Sequence, residues 1–413
     1  MAIFKPFKAL RPAEKFAAEV LCPPYDVINS EQASKLAKSQ ARSFIHVTRA
    51  DADMPELDPY SEKVYDKSYE KLMSFINDGV FIEDTEACYY IYSETMSGRT
   101  QTGIVGCASI DDYDNDVIRK HEKTRKEKEI DRINHFDRCN ADTEPIFLMH
   151  KQSPALDIII DRITSAEKPI YEFSDNDSVI HKLWVVSDDV NINDIENIFS
   201  KMEALYIADG HHRAASAVYV GKNRRNLSAS MNSNAEFNRF MAVSISGNLL
   251  SVLGYHRLIS DLNGMAHDEF LSRLNEVCIV EPCEQLALPH EEHCISMYLQ
   301  GNPYKLRFKE QLLPDSSDTI GSMDVSMLQN HILSPILNIS DPRTDRRISF
   351  AGGIDCEQKI KSEVDNKNFA VAFLMYPVTV ESIMRVADKG LVMPPKSTWF
   401  EPKLGSGWFV HKF

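Results

Sequence analysis

Short apolar runs alternate with helical periodicities along the chain, and that alternation predicts a mixed α/β protein. Segments 88–92, 103–107, 145–149 and 183–186 are compact and apolar, as buried strands are. Between residues 61 and 77, Val64, Tyr65, Tyr69, Leu72, Phe75 and Ile76 recur on one helical face, and Gly79 follows as a C-terminal stop. Further along, 267–275 has helical spacing, while 277–280, 294–299 and 304–308 have strand patterns, the last two separated by a Gly301-Asn302-Pro303 turn. These form a small α+β group. Helical stretches at 325–337 and 380–389 then flank an apolar strand at 369–375. No internal repeat or low-complexity linker marks a clean domain boundary.

Composition narrows the classes of partner. The 413 residues are 43% hydrophobic and 26% charged, enough for a substantial core. A formal net charge of -15 argues against nucleic acid as partner, because that affinity comes from clustered Lys and Arg. Small molecules or proteins fit better. No apolar stretch is long enough to span a bilayer, and Lys5 and Lys8 are not followed by the apolar core of a secretion signal, so a cytoplasmic protein is expected. The 8 cysteines are scattered without a CxxC pair and are expected as reduced thiols, mostly in the core.

Two segments carry candidate chemistry. In the first, a short apolar strand at 204–208 leads through Asp209-Gly210-His211-His212-Arg213 into a helical stretch at 214–220. Glycine lets a ligand approach the backbone, the first-turn N–H groups of a helix face outward, and His and Arg add donors suited to phosphate. The bland alternative is a strand-to-helix turn capped by Asp209 with solvated polar residues. A zinc site is not expected, since adjacent histidines diverge and no carboxylate or thiol stands at a familiar ligand spacing. In the second segment, His121-Glu122-Lys123-Thr124 follows the end of a strand and precedes a charged helical run. Thr124 and Glu127 match a capping box, which places His121 and Glu122 on the turn before the helix, where a carboxylate can act as general base. The zincin pattern fails because Arg125 stands where a second His is needed. The run 119–132 by itself reads as a solvated helix face laced with ion pairs, from which His121, Glu122, Asp131 and Arg132 stand out.

Taken in order, these motifs resemble the mostly bacterial domain-of-unknown-function family numbered one thousand and fifteen. The marks are Pro23-Pro24-Tyr25-Asp26-Val27, Ser43-Phe44-Ile45-His46-Val47, His121-Glu122-Lys123-Thr124 with Asp131-Arg132, and Pro145-Ile146-Phe147-Leu148. Later come Ala208 to Arg213, Tyr255-His256-Arg257, and the run from Met393 through Pro394-Pro395-Lys396-Ser397-Thr398-Trp399 to Phe400. Ala214 replaces the family's usual aromatic, and Trp399 stands where Tyr is common. A more distant resemblance links the Asp209 to Arg213 turn to ParB and sulfiredoxin-like proteins, especially their free-serine kinases; sulfiredoxin chemistry itself would need a cysteine that this turn lacks. The resemblance implies a ParB/sulfiredoxin-like core at 156–261, an N-terminal α/β region at 1–155 and a C-terminal α+β region at 262–413.

The activity implied is phosphoryl transfer between ATP or ADP, with Mg2+, and a small hydroxylated metabolite, serine and phosphoserine being the leading pair. Gly210, His211, His212 and Arg213 would bind phosphates, and Asp209 would hold magnesium through water. Glu122 is the expected base, Asp26 its rival, with His121 beside them, while Arg132, Asp131 and Arg257 would bind substrate. A nucleotide-binding regulator without turnover and a phosphoserine phosphatase-like hydrolase remain open as alternatives.

Overall fold

The apolar runs of the first 250 residues pair into one mixed sheet of nine strands in the computed structural model, which describes residues 1–227, 232, 234–315 and 317–413. In chain order these strands are β1 (Phe4–Lys5), β2 (Tyr89–Met96), β3 (Arg99–Ser109), β4 (Ile118–Arg119), β5 (Ile146–His150), β6 (Tyr171–Ser174), β7 (Ile180–Val186), β8 (Leu205–Asp209) and β9 (Arg239–Ser246). The spatial order is β4-β8-β5-β9-β3-β2-β7-β6, with β1 added on β3. Strands β5 and β9 pair in parallel, Val243 opposite Phe147, whereas β8 runs antiparallel to β5 with a register shift between Ile207 and Asp209. That irregularity lies at the end of β8, where Ala208 is the extra residue and Asp209 pairs with Phe147.

Three helices matter for the site: α1 (Glu62–Asn77), α2 (Lys126–Cys139) and α3 (His211–Leu227). Helix α1 buries Val64, Tyr65, Leu72 and Phe75 as its periodicity predicts, but Ser68 takes the inward position and Tyr69 is exposed. Helix α3 is apolar on its sheet side through Ala214, Ala217, Val218 and Val220, which join Ile146, Leu148, Ile207 and Phe240 in one core. It also lies against α2, where Ser216 Oγ donates to the Glu129 carbonyl at 3.0 Å.

The chain divides into a first unit, Met1–Leu250 with Pro402–Phe413, and a second unit, Ser251–Glu401. The expected line at 155/156 therefore runs between strands of a single sheet, since β2, β3 and β5 precede it and β7, β8 and β9 follow it. Within the first unit, the last residues return to close the core: Leu10 bridges Val410, Cys22 bridges Ser406, and Trp408 is fully buried.

The second unit holds a six-stranded antiparallel sheet made of β10 (His256–Ile259), β11 (Cys278–Pro282), β12 (Cys294–Leu299), β13 (Asn302–Phe308), β14 (Ile348–Ala351) and β15 (Val371–Met375), in the order β11-β13-β12-β15-β10-β14. The expected helix at 325–337 is α-helical only over Asp324–Leu328 and continues as a π-helical turn over Gln329–Leu333. Among the described residues, no helix is long and apolar enough to cross a membrane. All described cysteines are free thiols, and Cys283 alone among them is exposed.

Candidate functional site

The turn from Asp209 to Arg213 joins β8 directly to α3. Gly210 stands at φ +89°, a left-handed conformation that glycine adopts without strain, and the helix starts at His211. Arg213 folds back beneath this turn. Its Nη1 donates to the Pro145 carbonyl at 2.6 Å and its Nη2 to Asp209 Oδ2 at 3.3 Å, and the residue is 2% exposed. Arg213, expected among the phosphate-binding residues, is thus buried and bonded within the turn. A Cβ on Gly210 would stand 3.0 Å from Arg213 Nε, so the guanidinium occupies the space that glycine leaves open.

Asp209 is engaged on both oxygens, by Arg213 and by Lys403, whose Nζ lies 3.4 Å from Oδ1. Burial opposes ionisation, yet Lys403 and then Arg213 hold this carboxyl below the usual carboxylate range. Its expected role as a magnesium holder has to compete with both cations. Among the described residues, no group of three or more His, Cys, Asp or Glu is placed to hold a metal ion.

Glu144, which sequence reasoning passed over, is the counter-charge at the floor of the site. It has no exposed surface; its Oε1 accepts from the Tyr25 N–H at 3.1 Å and from Ser406 Oγ at 2.7 Å. Its Oε2 makes no hydrogen bond and lies 3.8 Å from Arg132 Nη1, itself without a hydrogen-bond partner. Arg132 packs over the Tyr25 ring at 4.0 Å and pairs with Asp131 at 3.0 Å, and Asp131 also accepts from the Tyr65 hydroxyl. Despite burial, which disfavours charge, Asp131, Tyr25 and Glu144 hold Arg132 above its ordinary value, and Glu144, Asp26 and Asp209 do the same for Arg213. Both arginines are therefore fixed cations below the turn. Arg132 and Asp131 are buried and paired with each other, which suits them to fix the floor rather than to meet a substrate.

The HEKT segment reaches the same turn, but not through its expected cap. Arg125 is the N-cap of α2 and no side chain closes a box there; instead its N–H donates to His212 Nε2 at 3.0 Å. A residue on another helix engages the N-cap residue itself, in place of the expected box between Thr124 and Glu127. His212 is thus occupied at Nε2, and burial, then Arg125, keeps it below the ordinary imidazole range. His121 and His211 meet edge to face with ring centroids 4.5 Å apart, and Glu122 Oε2 lies 3.9 Å from His211 Nδ1. Burial lowers His121 to about 4 against the opposing pull of Asp209 and the Ile207 backbone, and burial followed by His121 pushes His211 well below its normal value. Both rings are neutral at pH 7, and neither nitrogen of His121 has a well-formed hydrogen bond. Glu122 is partly exposed and Asp26 exposed, so the two candidate bases stand toward solvent above a buried cationic floor.

The structure therefore gathers Asp209, Gly210, His211, His212, Arg213, His121 and Glu122 around one turn, with Asp26 close enough to act on Arg213 and His212 and with Arg132 and Asp131 beneath. Arg257 belongs to the second unit, bonded to the carbonyls of Tyr255 and Lys396. Lys403, Glu144, Tyr25 and Tyr65 are additions. A charged residue directly before the apolar run 145–149 could have flagged Glu144, whereas Lys403 is too remote in sequence for any local signal.

A family profile described as "Protein of unknown function (DUF1015)" matches residues 4–326. No curated protein matches the chain. Among solved structures, a conserved hypothetical protein from Pyrococcus furiosus is similar at 13% identity and TM-score 0.36, covering 75% of this chain and 95% of that one. SbnI with a C-terminal truncation from Staphylococcus aureus is similar at 11% identity and TM-score 0.37, covering 74% and 87%. A free serine kinase in complex with AMP is similar at 12% identity and TM-score 0.35, covering 72% and 86%. At these scores the overlays carry no argument about chemistry.

Proposed function

The chain belongs to the DUF1015 family, and because that family's description carries no reaction, we propose one from the site itself: nucleotide-dependent transfer of a phosphoryl group to or from a small hydroxylated metabolite. The observation that carries it is the convergence of Gly210 at φ +89°, the first turn of α3 and the cations Lys403, Arg213 and Arg132 on one side, with the partly exposed carboxylate of Glu122 on the other. Phosphates of ATP or ADP meet the first-turn N–H groups of α3, and the buried arginines lend positive charge from below without needing to touch them. Glu122 accepts the proton of the attacking hydroxyl, with Asp26 as the competing base. His211, being neutral, adds no positive charge beside Glu122 that would lower the basicity of the carboxylate. Magnesium would arrive with the nucleotide. Serine and phosphoserine are the leading pair because the Asp209 to Arg213 turn resembles that of free-serine kinases.

The test incubates pure protein with serine plus ATP, serine plus ADP, and phosphoserine plus ADP, with mass spectrometry of every product. Phosphoryl exchange in the parent is the expected result. Glu122→Gln should keep the fold and nucleotide affinity while losing exchange by about 10²- to 10⁴-fold, the usual contribution of a general base. If Asp26→Asn loses exchange and Glu122→Gln keeps it, the base is Asp26. Nucleotide binding without exchange in the parent would support a regulator, and phosphate release without ADP a hydrolase.

A further inference from the structure

Two stretches that lie outside the first unit's candidate site, 255–257 and 393–400, come together inside the second unit at a cavity of about 230 Å³. That is room for roughly eight waters at about 30 Å³ each, or for one small organic molecule. Arg257 on β10 lines it together with Phe350, Pro394, Pro395, Gln329 and Leu333. Arg257 is 4% exposed, and its partners are neutral: Nη1 donates to the Tyr255 carbonyl and Nη2 to the Lys396 carbonyl at 3.0 Å. Among the described residues, no carboxylate forms an ion pair with it. Asp341, which also lines the cavity, is exposed and accepts from the Arg343 N–H at 3.0 Å.

A buried guanidinium that meets two carbonyl dipoles and the Phe350 ring, 5.5 Å from its centroid, but no counter-charge keeps a large share of its desolvation cost uncompensated. Burial accordingly lowers Arg257 to about 10, against only a weak opposing influence from Tyr255. The two carbonyls use two of its five N–H donors, which leaves the remainder for an incoming acceptor. The opposite wall departs from α-helical geometry: Ser334 N–H bonds to the Gln329 carbonyl, five residues back, at 3.0 Å. Such single π turns recur at functional sites, and this one puts Gln329 and Leu333 on the cavity.

We propose that this cavity is a binding site for a small oxyanion, a carboxylate or a phosphate monoester with a compact apolar body. Arg257 pairs with the anion and Phe350, Pro394 and Pro395 pack against the apolar part. A planar guanidinium meets either oxyanion bidentately, and the apolar walls strengthen the interaction by excluding water. The site stands independently of the phosphotransferase reading.

Calorimetric titration of the full chain with phenyl phosphate, benzoate and neutral benzyl alcohol tests it. At least one oxyanion should bind saturably and at least tenfold tighter than the alcohol, and the relative affinity of the two distinguishes phosphate from carboxylate. Arg257→Met, which keeps an unbranched stem but removes the guanidinium, should weaken binding tenfold or more. Because Arg257 also ties two carbonyls, Pro395→Trp is the second variant: it obstructs the half-buried rim and leaves the arginine in place, with its fold checked by thermal melting. It too should lose binding. Absence of saturable binding to the folded parent, or parental affinity in Pro395→Trp, overturns the proposal, the latter because the ligand then sits elsewhere, the first unit's turn included.

Discussion

At Gly210 two requirements coincide, a φ of +89° and an Arg213 guanidinium 3.0 Å from where a Cβ would stand. Alanine there meets both strain and contact, so Gly210→Ala should destabilise the protein by about 1–3 kcal/mol, read as a lower denaturant midpoint at unchanged slope. An unchanged midpoint would mean that the turn relaxes freely. Arg213 inverts what its sequence position suggests. As an exposed phosphate ligand its removal would weaken nucleotide binding and spare the fold; as a buried cation bonded to Pro145 and Asp209 its removal leaves Asp209 to Lys403 alone and takes one of two cations from beside Glu144. Arg213→Ala should therefore cost about 3–5 kcal/mol of stability, the usual effect of breaking a buried ion pair, measured by urea unfolding without nucleotide. The turn was legible in sequence because its glycine, histidines and arginine are contiguous. Their directions were not, since they depend on Glu144, Pro145 and Lys403, which reach the turn only through the fold.

Helix α3 approaches its neighbours so closely that it needs a second glycine. A Cβ on Gly221 would stand 2.2 Å from the Phe237 carbonyl oxygen, a backbone atom that cannot swing aside. Gly221→Ala should lose about 1–3 kcal/mol through overpacking, although alanine is the better helix former in isolation. A melting temperature at or above the parent's would show that the 236–238 turn yields instead. Strands were the most readable elements: the runs at 145–149, 183–186 and 294–299 correspond to β5, β7 and β12 because continuous apolar residues have few other places to go. Helix ends were less so. The Thr124 and Glu127 pattern was locally sound, yet His212, 87 residues away, accepts the Arg125 N–H. At 325–337 the apolar spacing carries no information that separates an α turn from the π turn observed at Gln329–Leu333. Tyr69 illustrates the same limit on α1, where Ser68 takes the buried place through a bond to the Val64 carbonyl at 3.2 Å.

On the scale of the first unit, the sheet joins strands from both sides of residue 155, and residues 402–413 return to bridge Leu10 and Cys22, a long-range return that no local pattern announces. Its core also buries imidazoles, and their charge states give the unit a pH signature. Burial lowers His121 and His150 to about 4 and His135 to about 3, and likewise depresses His211 and His212. Unfolded, each titrates near pH 6.5. Above that pH both states are neutral and these groups contribute no pH dependence. As pH falls from about 6.5 toward about 4, the unfolded chain takes up protons that the native rings refuse, so stability falls by up to about 1.4 kcal/mol per pH unit for each such histidine. His411 runs the other way. Burial opposes its charge, but Cys107, Asp142 and Glu236 hold it well above the ordinary range, so its contribution is present below pH 6.5 and is lost as pH rises through the higher folded value. The depressed histidines outnumber it, and the denaturant midpoint should drop from pH 7 to 6 and again to 5. His121→Phe isolates one member. Both of its ring nitrogens lack a well-formed hydrogen bond, so an apolar ring can take the place without orphaning a partner, and the variant should fold. Its stability should decline less steeply with acid than the parent's, by the equivalent of one proton per molecule over that window. Equal slopes for the two proteins would mean that His121 is already protonated in the native state, and the neutral imidazole beside His211 and Glu122 would have to be given up.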